Sequence, residues 1–176
     1  YAIVPQTKSN SSALFLVEEG KYGPLKTSLG ARYNYVSQNP NTATQFPSAS
    51  SQDFVPNSYG PPTLQSRQFN LMSYSAGGLL ELVTGYGLGL AYTVSQRAPS
   101  AQELYSYGPH DSTATFDIGN SNLGVETSHN LELSFQKTMG LVRSKASIYK
   151  NQFSNFIYGF YTGAYSQANE NFSVVQ

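Results

Sequence analysis

The stretch that decides the fold is residues 25–36, which read LKTSLGARYNYV. From residue 25 to residue 35 the odd positions carry Leu, Thr, Leu, Ala, Tyr and Tyr, and the even positions between them carry Lys, Ser, Gly, Arg and Asn. Successive side chains of a β-strand point to opposite faces, so one face of this segment is apolar and the other is polar and small. The pattern predicts an amphipathic β-strand whose apolar face ends in tyrosines.

The same alternation recurs along the chain and predicts an all-β protein. It is clear in residues 87–97 and 128–136, and less regular in residues 13–21, 69–82 and 142–153. Short turns at Gly23, Gly85 and Gly140 alternate with long links at residues 38–68, 98–127 and from 159 onward. Short periplasmic turns and long extracellular loops are typical of outer-membrane barrels. We therefore predict an antiparallel transmembrane β-barrel rather than a soluble β-sandwich, whose strands average five to six residues.

The composition is consistent with a membrane barrel. Charged residues make up only 11% of the chain, and the aromatic residues are 14 Tyr and 10 Phe with no Trp. No run of about 18 apolar residues occurs, which excludes a spanning helix but not a strand of which every second residue faces lipid. Lys plus Arg equals Asp plus Glu at 10 each, so no basic surface suggests a nucleic-acid partner.

Several other classes are disfavoured by residues that the sequence lacks. Without cysteine there are no disulfides and no thiolate metal sites. No Gly-x-Ser-x-Gly elbow, phosphate loop, dinucleotide fingerprint or HExxH motif is present, so we predict that the chain is not an enzyme. The first residues have neither the basic region nor the apolar region of a signal peptide.

Six strands do not close a barrel, because the smallest outer-membrane barrels have about eight. We therefore expect residues 1–176 to be a partial barrel domain, with further strands elsewhere in a longer protein. The end of the chain, NFSVVQ at residues 171–176, is expected to begin a seventh strand without completing it.

The long link at residues 96–126 is predicted to be structured. A strand leads into it and stops at Pro99, which cannot donate to a β-ladder. Ser100 with Glu103 three residues later has the spacing of a helical capping box. Gly119 and Asn120 predict another turn before the next strand begins.

This link carries a resemblance to the TonB-dependent outer-membrane receptors. Its sequence is similar to the Arg-Ala-Pro-Ser, Glu-Leu-Tyr and Gly-Asn-x-x-Leu stretches of those barrels and to the Glu that opens their next strand. A smaller part, with Gly-Pro-His and Phe-Asp, resembles the zinc-uptake receptors. The resemblance is specific over residues 96–158. The matching residues are Arg97 to Ser100, Glu103 to Tyr105, Gly119 to Leu123, Glu126, Gly108 to His110, and Ala114 to Asp117.

The resemblance implies a 22-stranded barrel closed by a plug domain, of which this chain would supply about a quarter of the wall. It implies a monomeric barrel in the lipid bilayer beside lipopolysaccharide, and a TonB-type periplasmic coupling protein acting through the plug. The implied function is energy-coupled import of a scarce nutrient, with zinc, another metal or a metal complex as cargo. A siderophore or haem receptor, a small passive or structural barrel, and a soluble β-rich adhesion module stay open as alternatives.

His110 and the carboxylates near it in sequence are the candidates for binding metal. Asp111, Asp117 and Glu103 accompany this histidine in the structured link, and imidazole and carboxylate groups suit Zn²⁺. The alternative is that His110 merely packs the loop through hydrogen bonds. The other histidine, His129, shares the apolar face of its strand and is expected at the membrane interface.

Charged side chains on the polar faces are candidates for contact with a plug. Arg97 is expected to form an ion pair with Glu103 that fixes the loop. Four further charged residues are expected on the polar, lumen-facing side of their strands: Glu132, Glu81, Arg32 and Lys26. The alternative is that these groups are solvated or paired within the wall. Tyrosines of the apolar faces are expected to form an interfacial girdle: Tyr33, Tyr35, Tyr74 and Tyr92.

Overall fold

The computed structural model describes residues 3–43, 46, 60–110, 115–165 and 171–175, and it describes side chains only as far as Thr162. One short α-helix and ten β-strands occur in these residues. In chain order they are β1 (Thr7–Tyr22), β2 (Leu25–Pro40), β3 (Arg67–Val83), β4 (Tyr86–Arg97), α1 (Ala101–Tyr105), β5 (Tyr107–His110), β6 (Thr115–Ile118), β7 (Glu126–Lys137), β8 (Ser144–Ser154), β9 (Gly159–Tyr165) and β10 (Asn171–Val175).

Six long strands form one antiparallel sheet in the order β1-β2-β3-β4-β7-β8. Five of them contain one predicted segment each, and β8 begins two residues after the start of the sixth segment, 142–153. The prediction of an all-β antiparallel fold is confirmed. The strands have 11 to 17 residues, whereas about 9 to 11 tilted residues suffice to cross a bilayer. Among the described residues no helix is long and apolar enough to span a membrane.

The two faces of this six-stranded sheet differ in chemistry. Directly opposed residues share a face, and one such row contains Leu29, Ala76, Tyr92 and Leu131. We call the face with this row the apolar face. The opposite face is called the polar face, and one of its rows contains Ser28, Gly77, Ala91 and Glu132. Large side chains of the apolar face lie exposed, Leu90 at 56% among them. Exposed apolar surface of this extent suits contact with hydrocarbon.

The three short turns lie together at one end of the sheet. Gly23, Gly85 and Gly140 have positive φ angles of 57°, 84° and 91°, which only glycine adopts readily. The turns are tied side by side, since Glu81 donates its backbone N–H to the carbonyl of Pro24 and Thr138 donates its own to the carbonyl of Gly85, each at 2.8 Å. We call this end the short-turn end and the opposite one the loop end.

The hydrophobic core lies at the loop end rather than between two layers. Its buried side chains come from β3, from α1, from the segment before β7 and from the segment after β8: Phe69, Leu71, Leu104, Tyr105, Leu123 and Ile157. This cluster binds the long link between β4 and β7 to the end of the sheet, which confirms the prediction that the link is structured.

A second sheet of four strands, in the order β5-β6-β10-β9, occupies the loop segments. The link expected from residue 159 onward does lie outside the wall, and it contains β9 and β10. One expectation was wrong here: Asn171–Val175 does not begin a seventh strand of the wall. Instead β10 pairs in parallel with β6 and antiparallel with β9. The parallel pair joins residues 56 positions apart, such as Asn171 with Thr115, and local alternation carries no signal for such a pairing.

Candidate functional site

Arg97 and Glu126 mark the loop end of the wall. Arg97 is the last residue of β4 and Glu126 is the first of β7, and the two are directly opposed in register. Nε of Arg97 lies 3.3 Å from Oε1 of Glu126, and Nη2 lies 3.1 Å from Oε2. This bidentate geometry makes a stronger contact than a single hydrogen bond.

The same guanidinium also holds the loop helix. Nη1 of Arg97 donates to both carboxylate oxygens of Glu103, at 3.0 and 2.9 Å. The predicted pair between these residues is therefore present. Sequence reasoning missed the second carboxylate, Glu126, which also accepts a hydrogen bond from the backbone N–H of Ile157 at 2.9 Å. Arg97 and its two carboxylates thus connect β4, α1, β7 and the segment after β8.

The capping box predicted at Ser100 is present. Ser100 Oγ accepts from the N–H of Glu103 at 3.2 Å, and Oε2 of Glu103 accepts from the N–H of Ser100 at 2.7 Å. Burial alone would raise the pKa of Glu103, but the hydrogen bonds from Arg97 and Ser100 outweigh it and hold that pKa below its ordinary value. Glu103 is therefore anionic at neutral pH, as the contact with Arg97 requires.

Helix α1 is buried against the wall. Leu104 and Tyr105 are 0% exposed, and the phenol of Tyr105 donates to the carbonyl of Gln65 at 2.7 Å. The Glu-Leu-Tyr stretch thus supplies one ion-pair partner, Glu103, and two buried anchors. This explains why such a short helix is stable, because isolated helices of this length are not.

Gly119 and Asn120, in the segment between β6 and β7, bind that segment to α1 and to Ser106 after it. The N–H of Gly119 donates to the carbonyl of Ser106 at 2.7 Å, and that of Asn120 donates to the carbonyl of Glu103 at 2.9 Å. A Cβ on Gly119 would lie 2.7 Å from the backbone nitrogens of Tyr105 and Ser106. The predicted turn is present, and its glycine is required by this close approach of two backbones.

Arg67 is a further anchor that sequence reasoning missed. Its Nη2 donates to the carbonyl of Leu123 at 2.9 Å, its Nη1 donates to the carbonyl of Ser121, and its guanidinium lies 5.4 Å from the ring centroid of Phe69. Arg67 stands at the first residue of β3, after a polar link. Nothing in its local sequence distinguishes it from a solvated charge.

The candidate metal residues are only partly brought together. His110 and Asp117 lie in the hairpin of β5 and β6, with His110 Nδ1 3.1 Å from Asp117 Oδ2. Thr115 donates its hydroxyl to Asp117 Oδ1 at 3.0 Å. Glu103 is bound to Arg97 instead, and Asp111 lies outside the described residues. Among the residues that are described, no three His, Cys, Asp or Glu side chains lie close enough to hold one ion.

The charged candidates of the polar face occupy separate positions. Glu132 forms an ion pair with Lys145 at 3.2 Å, and Oε1 of Glu81 accepts from the backbone N–H of Gly85 at 3.3 Å. Arg32 is exposed, opposite Phe15 and Ser73. Glu132 and Glu81 are thus partnered within the wall, whereas Arg32 is a solvated charge facing the same side.

Replacing Arg97 by Ala is expected to loosen the loop without unfolding the wall. Two charge-assisted contacts are lost and Glu126, whose side chain is 11% exposed, loses its cation. Because 44% of the Arg97 side chain is exposed, we discount the effect to about 2 kcal/mol. Amide exchange at Ser106, Gly119 and Asn120 should then be about thirtyfold faster.

The matched control for Arg97→Ala is Lys145→Ala, which breaks the more exposed pair with Glu132. It should leave exchange at the three loop amides unchanged, since exposed pairs contribute little. Equal exchange rates at these amides in Arg97→Ala and in the wild type would contradict the anchoring role.

Two solved receptor structures are similar to this chain. One is a double mutant of the hemophore receptor HasR of Serratia marcescens in complex with its hemophore HasA and heme. It is 16% identical with a TM-score of 0.73, and the match covers 98% of this chain and 30% of that one. The other is the siderophore receptor PirA of Pseudomonas aeruginosa, at 14% identity and a TM-score of 0.48, with 96% and 37% covered. This chain therefore spans about a third of each structure.

A family model agrees with the fold. The model for the TonB dependent receptor-like β-barrel matches residues 2–175. Barrels of this family lie in the bacterial outer membrane, so the six-stranded sheet is part of an outer-membrane barrel wall. With nearly every residue matched, the chain belongs to the family of TonB-dependent receptor-like β-barrels.

Proposed function

We propose that this chain forms part of the wall and the outer loops of a receptor that imports a scarce nutrient by energy-coupled transport. Family membership supports the proposal, together with one structural observation: Arg97 and its two carboxylates hold a folded loop against the end of the wall. Binding residues are frequently carried on loops that a rigid scaffold positions.

A metal ion or a metal complex is the cargo that we propose. What supports it is the contact of His110 with Asp117 in the loop sheet, because a carboxylate that holds one imidazole nitrogen is the usual second partner of a metal-ligating histidine. The resemblance to zinc-uptake receptors favours zinc. Haem is the second candidate, since the similar receptor HasR was solved with heme and imidazole is also a ligand of haem iron.

The proposed partners follow from the two faces and the two ends of the sheet. A plug domain would meet the polar face, where Arg32, Glu81 and Glu132 lie, and the loop end near Arg97. A TonB-type coupling protein would act on that plug from the periplasm. The lipid bilayer contacts the apolar face, and we propose that the barrel acts as a monomer.

The test is uptake of radiolabelled zinc by cells that carry the complete receptor, with and without a protonophore. We expect uptake that stops when the proton gradient is collapsed, and we expect His110→Ala to reduce it about tenfold, the effect typical of a weakened metal site. His129→Ala is the matched control, because it removes the other histidine, which lies on the apolar face, and should leave zinc uptake intact.

Each part of the proposal has its own contradicting outcome. Uptake that continues without the proton gradient would identify a passive barrel. Unchanged uptake in His110→Ala would remove this residue from the cargo site. Absence of zinc uptake together with energy-dependent uptake of haem would keep the receptor function and replace the cargo.

A further inference from the structure

The row that defines the apolar face ends in a charge at each edge of the sheet. Register connects one residue of each wall strand, in order from β1 to β8: Glu18, Leu29, Ala76, Tyr92, Leu131 and Lys150. Both end residues are exposed. The sheet therefore presents a carboxylate at one edge and an ammonium group at the other, on the face that meets hydrocarbon.

Both charges lie inside the apolar band. Lys150 is opposed to Leu131, which is six residues from Lys137 at the short-turn end. This separation is about 20 Å along the strand and about 16 Å along the membrane normal for a tilt near 40°. Glu18 is four residues from Tyr22, or about 10 Å along the normal. Since the apolar band of outer-membrane barrels is about 25 Å tall, neither residue reaches an interface.

These two charges lack partners where partners matter most. Glu18 is the one carboxylate on the apolar face of the described wall strands, and the other cations of that face, Lys8 and Lys137, lie at its loop end and its short-turn end. Charges on the lipid face of a barrel cost most near the middle of the bilayer, and ionisable groups there are normally paired. Among the residues that the structure describes, neither Glu18 nor Lys150 takes part in an ion pair.

Glu18 and Lys150 cannot meet within one copy of the protein. They stand on the two edge strands of the six-stranded sheet, so five strand spacings, about 24 Å, separate them. A second copy beside the first supplies both missing partners, because its Glu18 faces Lys150 and its Lys150 faces Glu18. Their depths differ by about 6 Å, which the flexible lysine stem can span.

We propose that copies of the receptor contact each other side by side in the membrane, with the carboxylate of Glu18 in one copy against the ammonium group of Lys150 in the next. The two residues belong to different strands, so the contact is heterologous and can repeat from copy to copy. Each barrel still transports on its own. The contact is therefore compatible with a monomeric transport unit and is independent of the cargo.

The experiment uses the complete receptor in native outer membranes, in a background without other cysteines. Leu16→Cys and Ile148→Cys together place a thiol two residues from each charge on the same face, so both charges are kept. A short bifunctional maleimide should then give a ladder of dimers and larger products on a denaturing gel. With either cysteine alone the receptor should remain monomeric on that gel.

Charge reversal tests the pairing itself. In the background with both cysteines, Lys150→Glu should lower the crosslinked fraction about tenfold, because two carboxylates then face each other. Glu18→Lys should do the same, and the two reversals together should restore the ladder. Lys137→Glu is the matched control, because it reverses a cation of the same face at the short-turn end and should leave the ladder intact.

Folding of each variant is checked by its heat-modifiable electrophoretic mobility, and restoration by the double reversal guards against a general loss of structure. Absence of the ladder when both native charges are present would overturn the proposal. So would a ladder that persists in Lys150→Glu, or one that the double reversal does not restore. A crosslink from Ile148→Cys to a different protein would overturn it in favour of that partner.

Discussion

Replacing Leu90 by Arg is expected to destabilise the folded barrel by about 3 kcal/mol relative to the unfolded chain. Leu90 is opposed to Gly78 and Leu133 on the apolar face, four residues from Tyr86 at the short turns. It therefore lies near the middle of the apolar band, where an arginine must leave water or distort the bilayer. The effect is measured by reversible urea unfolding of the complete receptor in lipid vesicles.

Ala91→Arg is the matched control for Leu90→Arg. Ala91 is the next residue of β4 but is opposed to Gly77 and Glu132 on the polar face, where an arginine stays hydrated and lies opposite a carboxylate. We expect a change below about 1 kcal/mol. A larger loss for Ala91→Arg than for Leu90→Arg would reverse the assignment of the two faces.

Gly119→Ala is expected to cost about 3 kcal/mol, at the upper end for an overpacked site. The added Cβ would lie 2.7 Å from the backbone nitrogens of Tyr105 and Ser106 and 2.8 Å from the carbonyl carbon of Leu104. These are backbone atoms of a buried helix, so they cannot move aside as a flexible side chain does. Proteolysis of the loop and amide exchange at Asn120 report the loss.

The matched control for Gly119→Ala is Gly124→Ala in the same link. A Cβ on Gly124 has no heavy atom within 4 Å among the described residues, so we expect a neutral or slightly stabilising change. If the Asn120 amide in Gly119→Ala stays as protected from hydrogen exchange as in the wild type, the two backbone segments can separate without loss of structure.

The wall was predictable because its determinants are local. Alternation in residues 25–36 reports directly which side chains share a face, since the period of a strand is two residues. Glycines at positions 23, 85 and 140 mark the short turns through the positive φ that they adopt. The capping box of Ser100 and Glu103 spans three residues and is readable for the same reason.

The loop end was less predictable because its contacts join distant segments. Arg97 meets Glu126 across 29 residues, and Arg67 reaches the carbonyl of Leu123 across 56. The pairing of β6 with β10 also depends on proximity in space. None of these contacts leaves a periodic signal in the sequence, so Arg67, at the start of β3, could not be told from a solvated charge.

The candidate metal residues were likewise predictable from the sequence only in part. The sequence alone drew attention to His110, Asp111, Asp117 and Glu103 as one set, because they are close along the chain. In the tertiary structure β5 and β6 bring His110 to Asp117, whereas the guanidinium of Arg97 takes Glu103. Closeness along the chain did not decide which charges meet.

Taken by itself, the sequence determined that this protein is a wall of amphipathic strands with short turns at one end, because alternation and turn dihedrals act between neighbouring residues. Only the tertiary structure decided how the long link folds onto that wall and which polar side chains meet across neighbouring strands. Both depend on partners tens of residues apart, such as Arg97 with Glu126 and Tyr92 with His129, whose meeting is set by strand register.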